Sequence, residues 1–521
     1  MTGELRAKTF NCFIIGQGTL PIQCAEIILA SGHQIAGVVS SDSSIVAWAK
    51  EQKIPHLKPE RPSIEIPKFL SKQPFDYLFS IVNFYILKKK VLELPRFGAI
   101  NYHDSLLPKY AGVHATSWAL MQGEKTHGIT WHLMTDRVDA GDILKQVEFD
   151  IAPRETALSL NGKCYERTID TFRQLIEELS RGGVSPRKQK LDEGSYFGRD
   201  RRPEAGCVIS WNRRAEEIDA FIRSISFGAY PNPLGMPKLA IGKQFLIVPE
   251  IQVLNSLSST PPGTITRITP TLQISTASYE VALPKLLSID GQNLAISEVV
   301  AKFGLYEGYR VADLWPEVAA HLSQCDREIC QHEAFWLKRL AKLETVSLPY
   351  ATVGKVSGQP RCYESLKMSL PEEVLAFLER GQKTWSVVDF LLAAFVAYLS
   401  RIGATERFDI GYRDVREREW VSLEGFFASS IPLRIDIDPK QSFEAVLNTV
   451  LKELDTIRQH KTYGRDIVTR YPELEKIHPF SVVVERVGKL GDGEILSFES
   501  ESSLTIRVVG RGNRMPLVIR F

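Results

Sequence analysis

The 521-residue chain lacks the features that mark nucleic-acid-binding, disulfide-rich and membrane-spanning proteins. Its formal net charge is +2 and no long run carries one sign, which indicates no electrostatic footprint for nucleic acid. Its seven cysteines are scattered without a C-x-x-C pair, so neither a disulfide framework nor a zinc site is predicted. No window approaches the roughly 18 continuous apolar residues of a membrane span, and the first residues lack the apolar core of a signal peptide. We therefore expect a cytoplasmic protein with no metal and no membrane contact.

Two motifs that suggest a cofactor or a metal are incomplete. Gly16 and Gly18 invite a dinucleotide-binding interpretation, but Pro21 stands where the third glycine belongs, so a tight turn before a helix explains them better. The segment 325–332 holds two cysteines and a histidine, but further ligands are missing nearby. We interpret that segment as helical rather than as a metal site.

The sequence does contain alternating strand and helix patterns. Apolar runs at residues 10–15, 35–39, 77–82 and 98–101 are typical of buried strands, and residues 21–31 have helical spacing. Such alternation predicts an α/β fold with a doubly wound, Rossmann-like sheet, whose functional residues lie at the carboxyl ends of its strands.

A carboxamide, an imidazole and a carboxylate follow one of these strands. Asn101 and His103 belong to the run N-Y-H-D-S-L-L-P at 101–108, and Asp139 belongs to V-D-A-G-D at 138–142. Because Asn101 and His103 are two residues apart, their side chains point to the same side of an extended strand end. Three such groups suit acyl transfer to an amine: an amide donor for the oxyanion, a base near neutral pH and a carboxylate that orients it.

These two motifs resemble those of the folate-dependent formyltransferases, and the resemblance covers about the first 310 residues. It implies that Asn101, His103 and Asp139 are catalytic and that 10-formyltetrahydrofolate is the cosubstrate. It also implies a folate site with apolar walls and backbone hydrogen bonds. Its residues would be Tyr85, Ile86, Leu87, Ser105, Leu106, Leu107, Pro108, Thr135, Asp136 and Val138.

One segment departs from the family pattern. Many relatives carry an arginine after S-L-L-P that is tied to acceptor binding, whereas this chain reads K-Y-A-G-V at 109–113. His114 follows, either as an acceptor contact or as an ordinary loop or core histidine. The commonest acceptors of the family are therefore in doubt.

Three domains are expected, at 1–190, 208–312 and 325–521, with a polar linker at 190–207. Residues 208–312 resemble the small barrel-like C-terminal domain of methionyl-tRNA formyltransferase and of aminosugar formyltransferases. This segment holds nine Lys and Arg against eight Asp and Glu, which disfavours a role in holding RNA. By the same resemblance, residues 1–190 are expected to form the formyltransferase catalytic domain.

The last third resembles the second half of the condensation domains of nonribosomal peptide synthetases, a chloramphenicol-acetyltransferase-like α+β half-domain. The resemblance rests on a buried helix at 387–399, L-E-G-F-F at 423–427 and I-P-L-R at 431–434. None of the ten histidines is adjacent to another, so the His-His-x-x-x-Asp signature is absent and no condensation chemistry is predicted. The apolar run at 515–521 is expected to be an interior strand without its partners, as in a partial chain.

The condensation-like region suggests which amine is formylated. We expect an aminoacyl group on a carrier protein, in nonribosomal peptide initiation with other synthetase modules as partners. An aminosugar nucleotide and methionyl-tRNA are the alternative acceptors. Two further alternatives are a non-catalytic folate-binding scaffold and a hydrolase that releases formate from the same folate.

Overall fold

The computed structural model describes residues 8–346, 348, 365–379, 385–403, 405–414, 423, 425–474, 480–487, 504–509 and 516–520. The chain forms two compact units. The first comprises Met1–Arg201 with Arg213–Gly228, and the second comprises Arg202–Asn212 with Ala229–Phe521. The finer limits expected from the sequence, at 1–190, 208–312 and 325–521, stay a prediction.

The first unit is built on a seven-stranded sheet and a short two-stranded one. Its strands are β1 (Asn11–Gly16), β2 (Gln34–Val39), β3 (His56–Leu57), β4 (Tyr77–Ile81), β5 (Gly98–His103), β6 (Ala111–Gly112), β7 (Thr126–Leu133), β8 (Ile143–Asp150) and β9 (Tyr196–Phe197). The large sheet has the order β3-β2-β1-β4-β5-β7-β8. The first five of these strands pair in parallel, and β7 and β8 are antiparallel additions.

Helices cover both faces of this sheet. They are α1 (Leu20–Ala30), α2 (Ser43–Glu51), α3 (Pro62–Leu70), α4 (Lys89–Leu92), α5 (Ala115–Met121), α6 (Ala157–Ser180) and α7 (Ala215–Ser224). Strand β1 alternates between the two layers: Cys12 and Ile14 pack in the core with α1 and α6, whereas Phe13 and Ile15 pack in the core with α3. The predicted doubly wound α/β fold is confirmed.

The glycine pair before α1 forms a tight turn. Gly16 ends β1 so close to the neighbouring strand that a Cβ there would lie 1.9 Å from the carbonyl oxygen of Ile81. Gly18 has a φ of +75°, and α1 starts two residues later. Both features belong to a strand-to-helix turn, as the sequence predicts.

The second unit contains two small antiparallel sheets where a barrel-like segment is expected. Their strands are β10 (Lys238–Ile241), β11 (Gln244–Ile247), β12 (Gln252–Leu257), β13 (Ile265–Arg267), β14 (Leu272–Ile274), β15 (Tyr279–Leu283), β16 (Leu286–Leu287) and β17 (Asn293–Leu294). The sheet orders are β10-β11-β16-β17 and β12-β15-β14-β13.

A mixed six-stranded sheet follows, made of β18 (Ser365–Ser369), β19 (Arg407–Asp414), β20 (Ile431–Asp436), β21 (Val482–Val487), β22 (Leu504–Val509) and β23 (Pro516–Arg520). Its order is β18-β23-β22-β21-β19-β20. Strand β23 pairs with β18 on one side and β22 on the other. The expectation that the run 515–521 lacks strand partners is therefore wrong, because the segments that supply them lie far apart in sequence. Met515 and Phe521 themselves lie outside the described residues.

The second unit also contains helices. They are Ile296–Phe303, Pro316–Ile329, Glu333–Leu340, Glu372–Glu379, Val387–Gly403, Phe443–Gln459 and Ile467–Arg470. The helix Val387–Gly403 buries Leu392, Val396 and Leu399 in the core, as its apolar pattern predicts. Within the motif L-E-G-F-F, Glu424 lies outside the described residues.

One hydrophobic core joins the small sheets to the condensation-like segment. Phe245 and Ile289 from the small-sheet region pack in a single buried cluster with Leu322, Phe426 and Phe427. These residues come from both segments that the sequence predicts to be separate domains. The two segments therefore share buried apolar surface, which stabilises them together.

Buried charges cross the same junction. Nζ of Lys238 lies 2.6 Å from Oδ2 of Asp466, and Nε of Arg470 donates to Oδ1 of Asp466 at 3.0 Å. Arg470 also donates to Glu333 at 2.5 Å. Burial opposes the charged carboxylate of Asp466, but Lys238 and Arg470 outweigh that effect and hold its pKa well below the usual range.

Six cysteines fall within the described residues, and all six are buried and outside any disulfide bond there. Cys362 lies outside the described residues. In the part of the chain that the structure describes, no helix combines the length and apolar character needed to cross a bilayer.

Candidate active site

Strand β5 brings Asn101 and His103 to the same side of the sheet, near its carboxyl end. Its ladder partners in β7 are His132 opposite Asn101 and Thr130 opposite His103. The Oδ1 of Asn101 accepts a hydrogen bond from the hydroxyl of Ser80 at 2.7 Å. That bond identifies the other end of the amide as the donor, and this end faces Tyr102 O at 2.9 Å and Nε2 of His132 at 3.2 Å.

His103 is 5% exposed and is held at both ring nitrogens. Nε2 lies 2.9 Å from the carbonyl oxygen of Tyr110, to which it donates. Nδ1 lies 3.6 Å from Oδ2 of Asp139 and 4.0 Å from Oδ1 of Asp104. Burial disfavours the imidazolium, yet Asp139, Asp104 and the Tyr110 carbonyl outweigh it and raise the pKa of His103 above its ordinary value.

Asp139 completes the predicted trio from the loop between β7 and β8. Its backbone has a φ of +52°, in the left-handed region that non-glycine residues rarely adopt. The backbone N–H of Gly112 donates to Oδ2 at 2.9 Å, and Nε2 of His132 lies 3.5 Å from Oδ1. Burial would raise the pKa of Asp139, but His103, His132 and Gly112 stabilise the charged form and lower it.

His132 is a site residue that the sequence reasoning missed. It is buried, it contacts both Asn101 and Asp139, and its Nδ1 donates to Leu133 O at 2.8 Å. This bond orients the ring so that Nε2 faces the two catalytic candidates. The sequence offers one signal, a histidine within the run G-I-T-W-H-L. Without the pairing register of the strands, this histidine is most simply interpreted as a core residue.

The first predicted folate segment forms the loop after β4. Asn83 organises it, since its Oδ1 accepts from the N–H of Tyr85 at 2.9 Å and its Nδ2 donates to Tyr85 O at 3.1 Å. Ile86 projects outward and is 84% exposed, whereas Leu87 is buried in the core. Tyr85 is half-buried between them. Ile86 therefore offers apolar surface at this loop, while Leu87 anchors it.

Strand β7 holds the S-L-L-P segment in place through hydrogen bonds of Thr130. Thr130 donates to Ser105 O at 2.6 Å and accepts from the N–H of Leu107 at 3.3 Å. The hydroxyl of Ser105 donates to the carbonyl of Lys109 at 2.7 Å. The side chains of Ser105 and Leu107 are buried, so they shape the loop, and Leu106 and Pro108 are half-buried.

The opposite predicted wall lies on the loop before Asp139. Thr135, Asp136 and Val138 are all exposed, and Val138 is 47% exposed. The hydroxyl of Thr135 donates to Arg137 O at 2.9 Å, which closes this loop on itself. The folate roles of these residues and of the two preceding segments stay a prediction, as do the catalytic roles of the trio.

The segment 109–114, which departs from the family pattern, has a strained backbone. Two of its residues have a left-handed backbone conformation, with φ of +57° at Tyr110 and +58° at His114. The hydroxyl of Tyr110 donates to Glu124 at 2.8 Å, and the ring of His114 meets Phe227 edge-on at 6.4 Å. An acceptor contact by His114 stays a prediction.

This arrangement suits proton transfer beside a stabilised oxyanion. A half-buried amide donor, a histidine whose charged form is favoured and an ionised carboxylate lie together at one strand end. Such groups can stabilise a tetrahedral oxyanion and carry one proton between two nitrogens. All of these residues belong to the first compact unit.

Two family models match separate parts of the chain. Residues 65–175 match the formyl transferase family, a range that contains the entire trio. Residues 315–504 match the condensation domain family. The chain therefore carries a formyl transferase domain and a condensation domain.

Several solved structures are similar to part of the chain. An N-formyltransferase from Helicobacter canadensis, in complex with folinic acid and dTDP-3-aminofucose, is 20% identical, with a TM-score of 0.43; the match covers 54% of this chain and 99% of that one. HypX from Aquifex aeolicus, in complex with tetrahydrofolic acid, is 15% identical, with a TM-score of 0.39; the match covers 57% of this chain and 48% of that one. A 4-N formyltransferase from Francisella tularensis is 19% identical, with a TM-score of 0.36, and the match covers 43% and 90%.

Proposed function

We propose that this enzyme moves a formyl group from 10-formyltetrahydrofolate to the amino group of an aminoacyl carrier protein, in the initiation of nonribosomal peptide synthesis. The observation that carries the proposal is the assembled trio of Asn101, His103 and Asp139 on a chain that also matches the condensation domain family.

The trio accounts for each proton in the reaction. The acceptor nitrogen attacks the formyl carbon, the C–N bond to the folate breaks, and the proton lost by the acceptor is gained by the departing folate nitrogen. His103 carries that proton, because Nε2 is engaged with Tyr110 and Nδ1 remains as the basic nitrogen of the neutral ring. Asp139 and Asp104 stabilise the imidazolium formed between the two steps.

Asn101 suits the developing oxyanion. Ser80 holds the carbonyl end of its amide, so Nδ2 is the donating end, and Asn101 and His103 lie on the same side of β5. A neutral amide suits this role because it stabilises the tetrahedral intermediate by hydrogen bonding and takes no part in the proton transfer between the two nitrogens. His132 supports this arrangement by touching both the amide of Asn101 and the carboxylate of Asp139.

The loops beside the trio fit a folate cosubstrate. Ile86 and Val138 present exposed apolar side chains on the two loops predicted to bind the flat heteroaromatic ring, and such rings favour apolar walls. The segment 105–108 lies between these two loops in the sequence, and hydrogen bonds to Thr130 hold it in place. The similar proteins crystallised with folinic acid and tetrahydrofolic acid support the same choice of cosubstrate.

The acceptor is argued from the composition of the whole chain. The condensation domain match at 315–504 is typical of peptide assembly, where amines are carried as thioesters on a carrier protein. The segment 109–113 lacks the arginine that the family resemblance ties to the commonest acceptors. An aminosugar nucleotide is the second candidate, because one similar structure contains dTDP-3-aminofucose.

Intact-mass analysis of acceptors tests this function. The full chain is incubated with 10-formyltetrahydrofolate and, in separate reactions, an aminoacyl-loaded carrier protein, a dTDP-aminosugar and methionyl-tRNA. We expect a mass gain of one formyl group on the carrier protein and none with His103→Ala. Formylation of the sugar or the tRNA alone would overturn the carrier-protein assignment, and formate release without any acceptor would favour a hydrolase.

A further inference from the structure

We propose that residues 189–197, which we term the strap, position Asp139 for catalysis, with Gln189 as the positioning residue that holds the Asp139 turn. The sequence places most of this segment in a linker. In the structure its end forms β9, which pairs in parallel with β6 beside the trio. The inference deepens the proposed function and rests on it.

Gln189 holds the backbone on both sides of the Asp139 turn. Its Nε2 donates to the carbonyl of Asp139 at 2.9 Å and to the carbonyl of Gly141 at 2.6 Å. A primary amide has two N–H donors, so this side chain uses both on one turn. Within the described residues its Oε1 has no hydrogen-bond partner, which makes Gln189 a pure donor here.

The Asp139 turn needs such support. The left-handed φ of +52° is unfavourable for aspartate and persists only where the surroundings hold it. A Cβ at Gly141 would lie 1.8 Å from the carbonyl oxygen of Leu133, so the turn approaches β7 closely enough to require glycine at this position. Gln189 closes the turn from a position 50 residues later in the sequence.

The other end of the strap fixes the groups that Asp139 and His103 contact. The N–H of Ala111 donates to Ser195 O and the N–H of Val113 donates to Phe197 O, both at 2.9 Å. These bonds hold Gly112, whose N–H donates to the Asp139 carboxylate. A Cβ at Gly112 would lie 2.1 Å from Phe197 O, so this approach requires glycine.

Ser195 extends this support to the histidine. Its hydroxyl accepts from the N–H of Tyr110 at 2.8 Å, and the carbonyl of Tyr110 accepts from Nε2 of His103. The strap thus contacts the Asp139 backbone, the donor to the Asp139 carboxylate and the acceptor of His103. Loss of the Gln189 bonds leaves the sheet intact but frees the turn, which moves the carboxylate relative to Nδ1 of His103.

A histidine titration reports this movement directly. The titratable groups facing His103 are Asp104 and Asp139, with His127 and His132 beside them; burial lowers the pKa of His127. Since Asp139 raises the pKa of His103, a displaced carboxylate lowers that pKa towards its ordinary value. A residue with a merely structural role would leave this pKa unchanged.

The test compares Gln189→Leu with Gln189→Met; both variants remove the two donors without adding a charge, and methionine also keeps the length of the side chain. Gln73→Leu is the matched control, because Nε2 of Gln73 donates one bond to Ala36 O at 3.2 Å, away from the trio. We measure kcat, the KM for 10-formyltetrahydrofolate, the thermal midpoint and the NMR titration of labelled His103 in the full chain.

We expect both Gln189 variants to lose kcat by on the order of 10–100-fold with little change in the folate KM, since small misplacements of catalytic groups have such effects. The His103 pKa falls in both, and the thermal midpoint stays near that of Gln73→Leu. An unchanged His103 titration, with or without a loss of kcat, would overturn the positioning role. A wild-type enzyme that formylates no acceptor would instead defeat the proposed function, and the titration would still decide the role of the strap.

Discussion

Replacing Asp139 with asparagine removes a negative charge that lies 3.6 Å from Nδ1 of His103 while preserving the shape of the side chain. The amide oxygen still accepts from the N–H of Gly112, so the loop keeps one of its anchors. The change therefore tests the electrostatic role of the carboxylate more cleanly than a truncation does.

The expected magnitude follows from the geometry. Two unit charges 3.6 Å apart interact by about 4–5 kcal/mol at an effective dielectric constant of about 20. The amide dipole and Asp104 recover part of this, which leaves a loss of roughly 3–4 kcal/mol in stabilising the imidazolium. Such a loss corresponds to a fall in kcat on the order of 10²–10³-fold.

The pH profile carries the second signature. His103 must be neutral to accept a proton, and Asp139 raises its pKa, so Asp139→Asn lowers that pKa. The acid limb of kcat/KM therefore moves to lower pH while the plateau falls. Initial rates of tetrahydrofolate release across pH measure both effects, with Asp170→Asn on the exposed face of α6 as the control. A lower plateau with an unmoved acid limb would refute the coupling between Asp139 and His103.

Three further predictions concern the trio and the second unit. His103→Ala should abolish nearly all transfer yet retain folate binding by calorimetry, and loss of binding would assign His103 to the cosubstrate instead. Asn101→Ala should lower kcat on the order of 10²–10³-fold, as for the loss of an oxyanion donor, and near-normal turnover would remove it from that role. Asp466→Ala leaves the buried Lys238 and Arg470 without the carboxylate that they share. It should lower the free energy of unfolding of the full chain, measured in urea, by about 3–5 kcal/mol. Glu328→Ala, which breaks a half-exposed pair with Lys461, is its control, and equal stability of the two variants would contradict the stabilising role of the Asp466 network.

Much of the first unit could be predicted from local pattern. The apolar runs at 10–15, 35–39 and 77–82 became parallel strands, because buried strands of such sheets are apolar on both faces. The two-residue spacing of Asn101 and His103 placed them correctly, since side chains on a strand alternate with period two.

The remaining site residues could not be read from local pattern because they reach the site through long-range contacts. His132 meets Asn101 only through the pairing register of β5 with β7. Gln189 meets the Asp139 turn from a polar segment that reads as a linker, and its two bonds go to backbone carbonyls, which leave no trace in the sequence. The left-handed conformation of Asp139 is likewise imposed by its surroundings.

The second unit was harder to predict from the sequence, because its core and its strand pairs also depend on long-range contacts. Its core combines Phe245 with Phe426 across 181 positions of sequence, so the two segments read as separate domains when each is taken alone. Strand β23 finds its partners in β18 and β22, and one of these lies about 150 residues away. Pairings of that length depend on the whole fold rather than on neighbouring residues.

The proposed function is decided by following an isotopically labelled formyl group from 10-formyltetrahydrofolate to an aminoacyl-loaded carrier protein. Wild type and Asp139→Asn are run side by side, and the label is followed by mass on both the carrier protein and released formate. We expect wild type to label the carrier protein, and Asp139→Asn to label it on the order of 10²–10³-fold more slowly. Label that appears only in formate, or equal rates for the two proteins, would contradict this expectation.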